Sequence, residues 1–411
     1  MTSDNLDDDE QRILDWVRAR ADDANERGPG MLKTYDNSDR HDTYDNAVAA
    51  ILFDLHSDTA ADTVRAEQIL DRFIVLIDEG DEQGNPTFLA AAYNTDGSIN
   101  DSREDAGNNA WACIALAYHG SLPGTDSRYL YSAKKLKDKI KEQLNFTHNF
   151  NEEKPHCVDR EPGSNVTNSS TEHATDLIAV GRLLDDTSLV DTCQQFVDSM
   201  WRSTFFKDVA KGGAYATGTT QDQPPQVNYN PCPVDCQTWT LLADADKNAT
   251  TDNRDRQGLA VMESKDFYPP EGETYDNITY HGVEFSNEGH GIQMENTASS
   301  AMAIAKFLRE NKDKHVDGKT ELEKKMNAMR DTLILISKNH NGVLACVNPK
   351  GITTGEGYRY SHTPHLASTA WTGLFLGYLR SDDFNPYRLD KIVNKIDDSL
   401  SESGERPSIS E

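Results

Sequence analysis

Thr171-Glu172-His173-Ala174-Thr175-Asp176 leads directly into the apolar run 177–184, so ionisable side chains stand at the start of a hydrophobic helix. A helix start leaves backbone N–H groups without partners and carries a partial positive charge. Ser170 or Thr171 can therefore cap this helix, and Glu172 can lie there as an ionised carboxylate. The stretch predicts polar side chains gathered at the beginning of a buried helix.

The same design recurs along the chain at intervals of roughly 60 to 70 residues, a period typical of repeat architectures. Polar residues open each apolar run at Tyr44-Asp45-Asn46, Gly107-Asn108-Asn109, Thr171-Glu172-His173, Val234-Asp235-Cys236-Gln237, Met294-Glu295-Asn296 and Thr363-Pro364-His365. Helical segments with one charged face alternate with these runs over residues 9–26, 64–79, 131–144, 189–201, 256–266 and 321–338. The apolar helices are predicted to be buried and the charged ones to lie outside them.

Twelve helices that alternate between outer and inner positions in six hairpins predict an all-α fold, the (α/α)6 toroid. A closed ring lets every helical pair bury its inner face against a neighbour, and it brings the inner helix starts to one mouth. A linear α-solenoid is the alternative, but its repeats are usually shorter and its inner helices less polar at one end. We expect a single toroidal domain over residues 1–400, followed by a disordered tail over 401–411.

The chain is strongly acidic, with a formal net charge of -28 and a pI near 4.7. Such a charge keeps a protein in solution and repels nucleic acid and anionic membranes. It also suits high salt, where screening removes the self-repulsion. We find neither an N-terminal apolar segment of the signal-peptide kind nor an apolar run of membrane-spanning length. The sequence therefore predicts a cytoplasmic, halophilic protein that binds neither nucleic acid nor membrane, and it leaves the oligomeric state open.

The six cysteines are too few and too scattered for a disulfide framework in a chain of 411 residues. Cys232 and Cys236, together with Cys157 beside His156, offer the thiolate and imidazole ligands of tetrahedral zinc. Their spacing matches no recognised zinc motif. We therefore expect no metal and no other cofactor, with zinc at these three cysteines as the alternative.

Long loops rich in aromatic and hydrogen-bonding residues lead into the inner helices, over residues 85–105, 146–170, 211–233, 267–293 and 343–364. Many loops that leave the inner helices are short, as at 184–188. Long loops on one face of a rigid scaffold are where binding sites are built. Tyr and Trp faces stack on pyranose rings, while Asn, Asp and His bind hydroxyls. The predicted partner is an oligosaccharide or polysaccharide.

The motifs at the inner helix starts carry a family likeness. They read Tyr44-Asp45-Asn46-Ala47, Asn108-Asn109-Ala110-Trp111, Thr171-Glu172-His173, Val234-Asp235-Cys236-Gln237-Thr238-Trp239, Glu295-Asn296-Thr297-Ala298 and Pro364-His365-Leu366-Ala367-Ser368-Thr369-Ala370-Trp371. In order and spacing they resemble the six-hairpin glycosidase-like toroids, most closely a microbial group with YDNALA, NNAW, STEHN, LDVQTW, EGTAQ and HLAATAW-like motifs. Ala174 stands where that group tends to have Asn, and Asn296 where it tends to have Gly. The resemblance implies carbohydrate-active chemistry, without selecting among hydrolases, lyases, phosphorylases and epimerases.

Four carboxylates stand at equivalent helix starts: Asp45, Glu172, Asp235 and Glu295. Glycoside hydrolysis needs one carboxylic acid to protonate the leaving oxygen and a second carboxylate to activate water or attack the sugar. Neighbouring packed helices lie about 8 to 10 Å apart, close to the roughly 6.5 to 9.5 Å between the carboxylates of inverting enzymes. We therefore predict an inverting hydrolase with Glu172 or Glu295 as general acid and Asp235 as general base.

Further polar residues at the same starts and in the last long loop are predicted to position the sugar. They are Tyr44, Asp45, Asn109, His173, Tyr358, Arg359 and His365. Trp111, Trp239 and Trp371 fall inside helices, where core packing is the expected role.

Three other functions remain open at this point. A polysaccharide lyase or a sugar epimerase would use His or Tyr as base, and a lyase would need Arg359 to neutralise a uronate. A zinc-dependent toroid, as in protein prenyltransferase β-subunits and lanthionine cyclases, would use Cys232, Cys236 or Asp235 with His365. A non-catalytic ring would only bind glycans or serve in an assembly.

Overall fold

A computed structural model describes residues 7–27, 30–56, 60–79, 87–143, 168–203, 213–220, 226–250, 253–355 and 357–403. Six buried helices form the inner ring: α2 (Thr43–Leu55), α4 (Ala106–Gly120), α6 (Thr171–Leu183), α8 (Asp235–Leu242), α10 (Met294–Glu310) and α12 (Leu366–Arg380). The outer helices are α1 (Asp8–Arg27), α3 (Ala60–Glu79), α5 (Ser127–Gln143), α7 (Thr187–Met200), α9 (Arg254–Leu259) and α11 (Lys319–His340). Each inner helix packs on the next, and α12 packs on α2. The ring is therefore closed, and the predicted (α/α)6 toroid is confirmed.

The sequence interpretation missed one helix. A thirteenth α-helix, α13 (Asp390–Ser403), follows the ring in the described part of the chain and packs against α6. It extends three residues into the segment 401–411 that was expected to be disordered, and residues 404–411 lie outside the described ranges. Short 3-10 turns precede it at Asp382–Phe384 and Pro386–Arg388, and a third 3-10 turn, Ala260–Glu263, continues α9.

The 3-10 turn Pro386–Arg388 places Tyr387 in the centre of the ring. Tyr387 is 1% exposed, and its ring centroid lies 5.3 Å from that of Trp111. Its neighbour Asn385 donates to the carbonyl of Leu242, at the last residue of α8. The turn therefore closes the ring at the carboxyl ends of the inner helices.

Short antiparallel strand pairs lie in the loops that precede inner helices. They are β1 (His41–Asp42), β2 (Ala92–Tyr93), β3 (Ile99–Asp101), β4 (Trp201–Arg202), β5 (Ala214–Tyr215), β6 (Gly218–Thr219), β7 (Val227–Asn228), β8 (Glu273–Tyr275), β9 (Ile278–Tyr280), β10 (Val283–Glu284), β11 (Ile292–Gln293), β12 (Ile352–Thr353) and β13 (Arg359–Tyr360). Strands β1, β2 and β3 pair in that order, and each of the others pairs with one partner. The hairpin between β2 and β3 contains the turn 94–97, where Gly97 has a φ of 84°, a conformation that favours glycine. These pairs stiffen the loops around the mouth of the ring.

Side chains in the first turns of five inner helices hold the backbone of the preceding loop. The bonded pairs are Asn46 with Leu32, Asn109 with Leu89, Gln237 with Tyr215, Thr297 with Val283 and Thr369 with Val343. The amides of Asn46, Asn109 and Gln237 bind both the N–H and the C=O of their partner, with N···O distances between 2.6 and 3.1 Å. Such bonds satisfy buried backbone groups that regular structure leaves without partners. Part of the sequence repeat therefore anchors loops to helices.

Candidate functional site

A cavity of about 1060 Å³ opens at the amino ends of the inner helices, lined by residues of α2, α4, α6, α8 and α10 and by His365, the residue that caps α12. The sequence-predicted site residues found in its wall are Tyr44, Asp45, Glu172, His173, Asp235, Glu295, Tyr358, Arg359 and His365. The loops supply the rim, and Trp111 and Trp239 form part of the floor. The predicted common mouth therefore exists.

Glu295 is held in this wall by a directed chain of hydrogen bonds. The indole Nε1 of Trp371 donates to the Tyr44 hydroxyl at 2.7 Å. The Tyr44 hydroxyl in turn donates to Oε1 of Glu295 at 2.6 Å. Because an indole can only donate, the single hydroxyl hydrogen of Tyr44 must point to Glu295. Burial raises the pKa of Glu295 to about 7, although the bond from Tyr44 acts in the opposite direction.

Asp45 faces His365 across the same wall. The distance between Asp45 Oδ2 and His365 Nε2 is 3.4 Å. The backbone N–H of Ser368 donates to His365 Nδ1 at 3.2 Å, so this imidazole caps α12. In the neutral ring the hydrogen therefore resides on Nε2, toward Asp45. Burial lowers the pKa of His365 to about 3, and burial together with Asp42 and Glu295 raises the pKa of Asp45 well above its usual value.

The remaining candidate carboxylates differ in exposure. Asp235 is 2% exposed, and its Oδ1 accepts the backbone N–H of Cys236 at 2.6 Å. Glu172 and His173 are half-buried in the first turn of α6. Ser170 caps this helix by accepting the N–H of His173 at 3.3 Å, as one of the two sequence alternatives predicted. Glu172 is therefore the more accessible of the two carboxylates to water.

Asn109 was predicted to position substrate, but the structure does not bring it into the cavity wall. The side chain is fully buried, and its amide binds Leu89 and the carbonyl of Asp105. Its neighbour Asn108 lines the cavity instead. Asn109 is turned about 100° around the helix axis from Asn108, and its amide is taken up by the backbone of the preceding loop.

The described residues offer no cluster of three or more His, Cys, Asp or Glu arranged to hold a metal ion. Cys232 is buried, with its Sγ 3.5 Å from the carbonyl oxygen of Tyr215 and 3.5 Å from Nε2 of Gln237. Cys236 lines the cavity from α8. Cys157, the third thiol of the zinc alternative, lies outside the described residues.

Sequence reasoning missed several residues of the wall and rim. The Tyr35 ring lies 4.8 Å from that of His365, and the Tyr360 ring lies 5.9 Å from it. Burial raises the pKa of Tyr360 well above its usual value. The signal that would have found them is the set of polar residues around Tyr35 in 33–42 and around Tyr358 and Tyr360 in 358–362.

The rim carries a network of paired charges. Arg40 binds both Asp42 and Asp101, and Arg103 binds Asp101 and the hydroxyl of Tyr358. Side-chain bonding to Arg103 lowers the pKa of Asp101 to about 2. The network joins loops that are distant in sequence, because Tyr358 precedes α12 while Arg103 precedes α4.

Within the described ranges, no helix has the length and hydrophobicity needed to cross a membrane.

The toroid is shared with solved structures of carbohydrate enzymes. A D-mannose isomerase superimposes with a TM-score of 0.60 at 11% identity, over 95% of this chain and 97% of that chain. A wild-type glycosidase gives 0.56 at 10% identity, over 92% of this chain and 99% of that chain. An inactive variant of an α-1,6-mannanase of Salegentibacter sp. HEL1_6, bound to α-1,6-mannotetrose, gives 0.54 at 12% identity, over 93% of this chain and 99% of that chain.

No family model matches the sequence, and no curated protein matches it. Structural likeness at these identities establishes the fold. The resemblance to six-hairpin glycosidase-like toroids is thereby confirmed as a likeness of architecture.

Proposed function

We propose that this protein is a glycoside hydrolase that acts with inversion on a glycan bound in the mouth of the toroid. The observation that carries the proposal is the meeting of Glu172, Asp235 and Glu295 in one cavity, with the pKa of Glu295 raised to about 7. A carboxyl group with that pKa is protonated in about half of the molecules at neutral pH, whereas one with the usual pKa is almost wholly ionised, and a general acid requires the protonated form. The glycosidases and the mannanase that share the fold support a carbohydrate substrate.

Glu295 is proposed as the general acid. Its Oε1 accepts the Tyr44 hydroxyl, so the acidic proton resides on Oε2. The side-chain Nε2 of Gln293 approaches Oε2 only at 3.4 Å. The chain from Trp371 through Tyr44 therefore orients the carboxyl group and leaves its proton available for the glycosidic oxygen.

The general base is proposed to be Glu172, two inner helices away from Glu295. Inner helices about 9 Å apart form a hexagon, and side chains that reach toward its axis draw together. Carboxylates on adjacent helices then converge toward the ~5 Å of retaining enzymes, whereas those two helices apart stay in the ~6.5 to 9.5 Å range of inverting enzymes. This changes the sequence-based pairing, which took adjacent helices as the inverting pair. Asp235 on the intervening helix α8 is then placed to bind the sugar between acid and base.

The test uses Glu295→Gln, Glu172→Ala and Asp235→Ala on a panel of p-nitrophenyl glycosides and on α-1,6-mannotetraose. The acid variant should lose more activity on the tetraose than on nitrophenyl substrates, because nitrophenolate leaves without protonation. Azide should restore turnover to Glu172→Ala as an inverted glycosyl azide, because azide needs no general base. Full activity in all three variants would exclude the acid-base proposal, and azide rescue of Asp235→Ala alone would assign the base to Asp235.

The mannose isomerase of the same fold makes sugar isomerisation the second candidate. Isomerisation needs a base that removes a proton next to a carbonyl. His365 does not suit that task, because Ser368 occupies its Nδ1 and its pKa is lowered to about 3. His173 in the cavity wall is the remaining histidine candidate. Conversion of free mannose to fructose by wild type but not by His173→Ala would favour the isomerase over the hydrolase.

We further propose that the protein works at high salt, since the net charge is -28. Salt screens the repulsion among surface carboxylates. The midpoint of thermal unfolding should therefore rise from 0.1 M to 2 M KCl, and a midpoint that falls would contradict the proposal.

A further inference from the structure

Asn296 places a buried amide at the cavity, beside the proposed general acid. It lies in the first turn of α10, directly after Glu295, and is 2% exposed. Gln293 accepts its backbone N–H at 2.6 Å, which fixes the helix start. Among the described residues, no acceptor lies within hydrogen-bond reach of the side-chain Nδ2. Asn296 is one of the residues that line the cavity, and its Nδ2 makes no hydrogen bond within the described residues.

A buried donor without an acceptor lowers the stability of the folded protein. Such groups in native proteins call for an explanation, and a ligand that supplies the acceptor is one. The indole Nε1 of Trp239 is a second buried donor without a partner in the described ranges, and Trp239 lines the same cavity from the adjacent helix α8. Two unused donors therefore belong to one wall.

The charge of the cavity restricts what the acceptor can be. Its lining carries the carboxylates Asp42, Asp45, Asp101, Asp105, Glu172, Asp235 and Glu295, against the guanidinium groups of Arg40, Arg103 and Arg359. Arg40 and Arg103 are bonded to Asp42 and Asp101. An anionic ligand would meet this excess of carboxylates at close range. A hydroxyl group fits, because its oxygen accepts from an amide while its hydrogen donates to a carboxylate.

We propose that Asn296 is a specificity-determining residue whose Nδ2 donates to a hydroxyl oxygen of a neutral sugar seated against Glu295. The inference rests on the proposed carbohydrate function of this cavity. It adds that the ligand is uncharged and that Asn296 recognises one of its hydroxyl groups.

Asn296→Ala separates binding from stability, and Ser300→Ala is the matched control. Ser300 lies on the same helix, is fully buried, and its Oγ also lacks a partner among the described residues, but it does not line the cavity. Both substitutions remove an unsatisfied buried group, so both should keep or raise the thermal midpoint, by about 1 to 2 °C. Only Asn296→Ala should raise KM on a neutral glycoside, about three- to tenfold with a smaller change in kcat. On the monodeoxy analogue that lacks the recognised hydroxyl, wild type and Asn296→Ala should have the same KM.

Calorimetric titration with neutral disaccharides and with the corresponding uronides separates this inference from hydrolysis itself. A wild type that binds neutral disaccharides without cleaving them would remove the hydrolase proposal, yet weaker binding by Asn296→Ala would still support the role of Asn296. Equal dissociation constants for wild type and Asn296→Ala would overturn it. Tighter binding of uronides than of neutral sugars, or no binding of any neutral sugar, would overturn it as well.

Discussion

Tyr44→Phe should shift the basic limb of the pH–activity profile to higher pH. The Tyr44 hydroxyl donates to Glu295 at 2.6 Å, a bond that favours the ionised carboxylate and opposes the effect of burial. Without it, the carboxyl group keeps its proton to higher pH. If Glu295 is the general acid, the enzyme should stay active at pH values where the wild type has lost its acid.

The size of the shift follows from the strength of that bond. A hydrogen bond to a charged group contributes about 1.5 to 3 kcal/mol, and one pKa unit corresponds to about 1.4 kcal/mol. Part of the loss will be recovered as the site relaxes, so we expect the limb to rise by about one unit from its wild-type position near 7. Trp371→Phe removes the donor to Tyr44 and should give a smaller shift in the same direction.

The assay is kcat/KM between pH 5 and 10, because this ratio reports the ionisation of the free enzyme. Tyr387→Phe is the control, since its hydroxyl bonds Asp176 rather than Glu295 and the residue does not line the cavity. If Tyr44→Phe leaves the basic limb in place or moves it to lower pH, the bond from Tyr44 does not control the ionisation of the general acid. The same conclusion follows if Tyr387→Phe shifts the limb equally, because the effect would then be general to the core.

Three further predictions concern stability. Glu295→Gln should raise the free energy of unfolding at pH 8 by up to about 3 kcal/mol and change it little at pH 4, measured by urea unfolding. The reason is that the folded-state pKa of about 7 exceeds the reference 4.5, so wild-type stability falls as pH rises between the two. Tyr387→Ala should cost about 3 to 5 kcal/mol in the same assay, because it empties the centre of the ring. Asn109→Ala should destabilise by about 2 kcal/mol or more by leaving the buried N–H and C=O of Leu89 without partners, whereas Asn108→Ala should leave stability nearly unchanged and alter KM.

The ring was predictable because its signal is repeated and global. Six polar starts followed by apolar runs leave few architectures, and the closure of α12 on α2 follows from burial of every inner face. Helix α13 carries no repeat partner, so periodicity gave no reason to expect it. Its preceding turn is set by long-range contacts of Tyr387 with Trp111, Trp239 and Trp371, which no local pattern reveals.

The gathering of Glu172, Asp235 and Glu295 in one mouth was also predictable, since equivalent helix positions meet at one end of a toroid. Their protonation states were not predictable from the sequence. The pKa of Glu295 depends on burial and on the bond from Tyr44, which comes from a helix two positions further around the ring and 251 residues away in sequence. The sequence could name the candidates but could not separate an acid from a base.

Asn108 and Asn109 show where repeat position stops being informative about function. Both occupy the first turn of α4 and both are asparagines, yet one lines the cavity and the other holds the backbone of Leu89. Asn46, at the equivalent position of α2, makes the same two bonds to Leu32, so this repeat position holds the preceding loop in both helices. The residues that differ between repeats at cavity-facing positions, such as Asn108, Glu172 and Asn296, are therefore the ones in which substrate specificity should be sought.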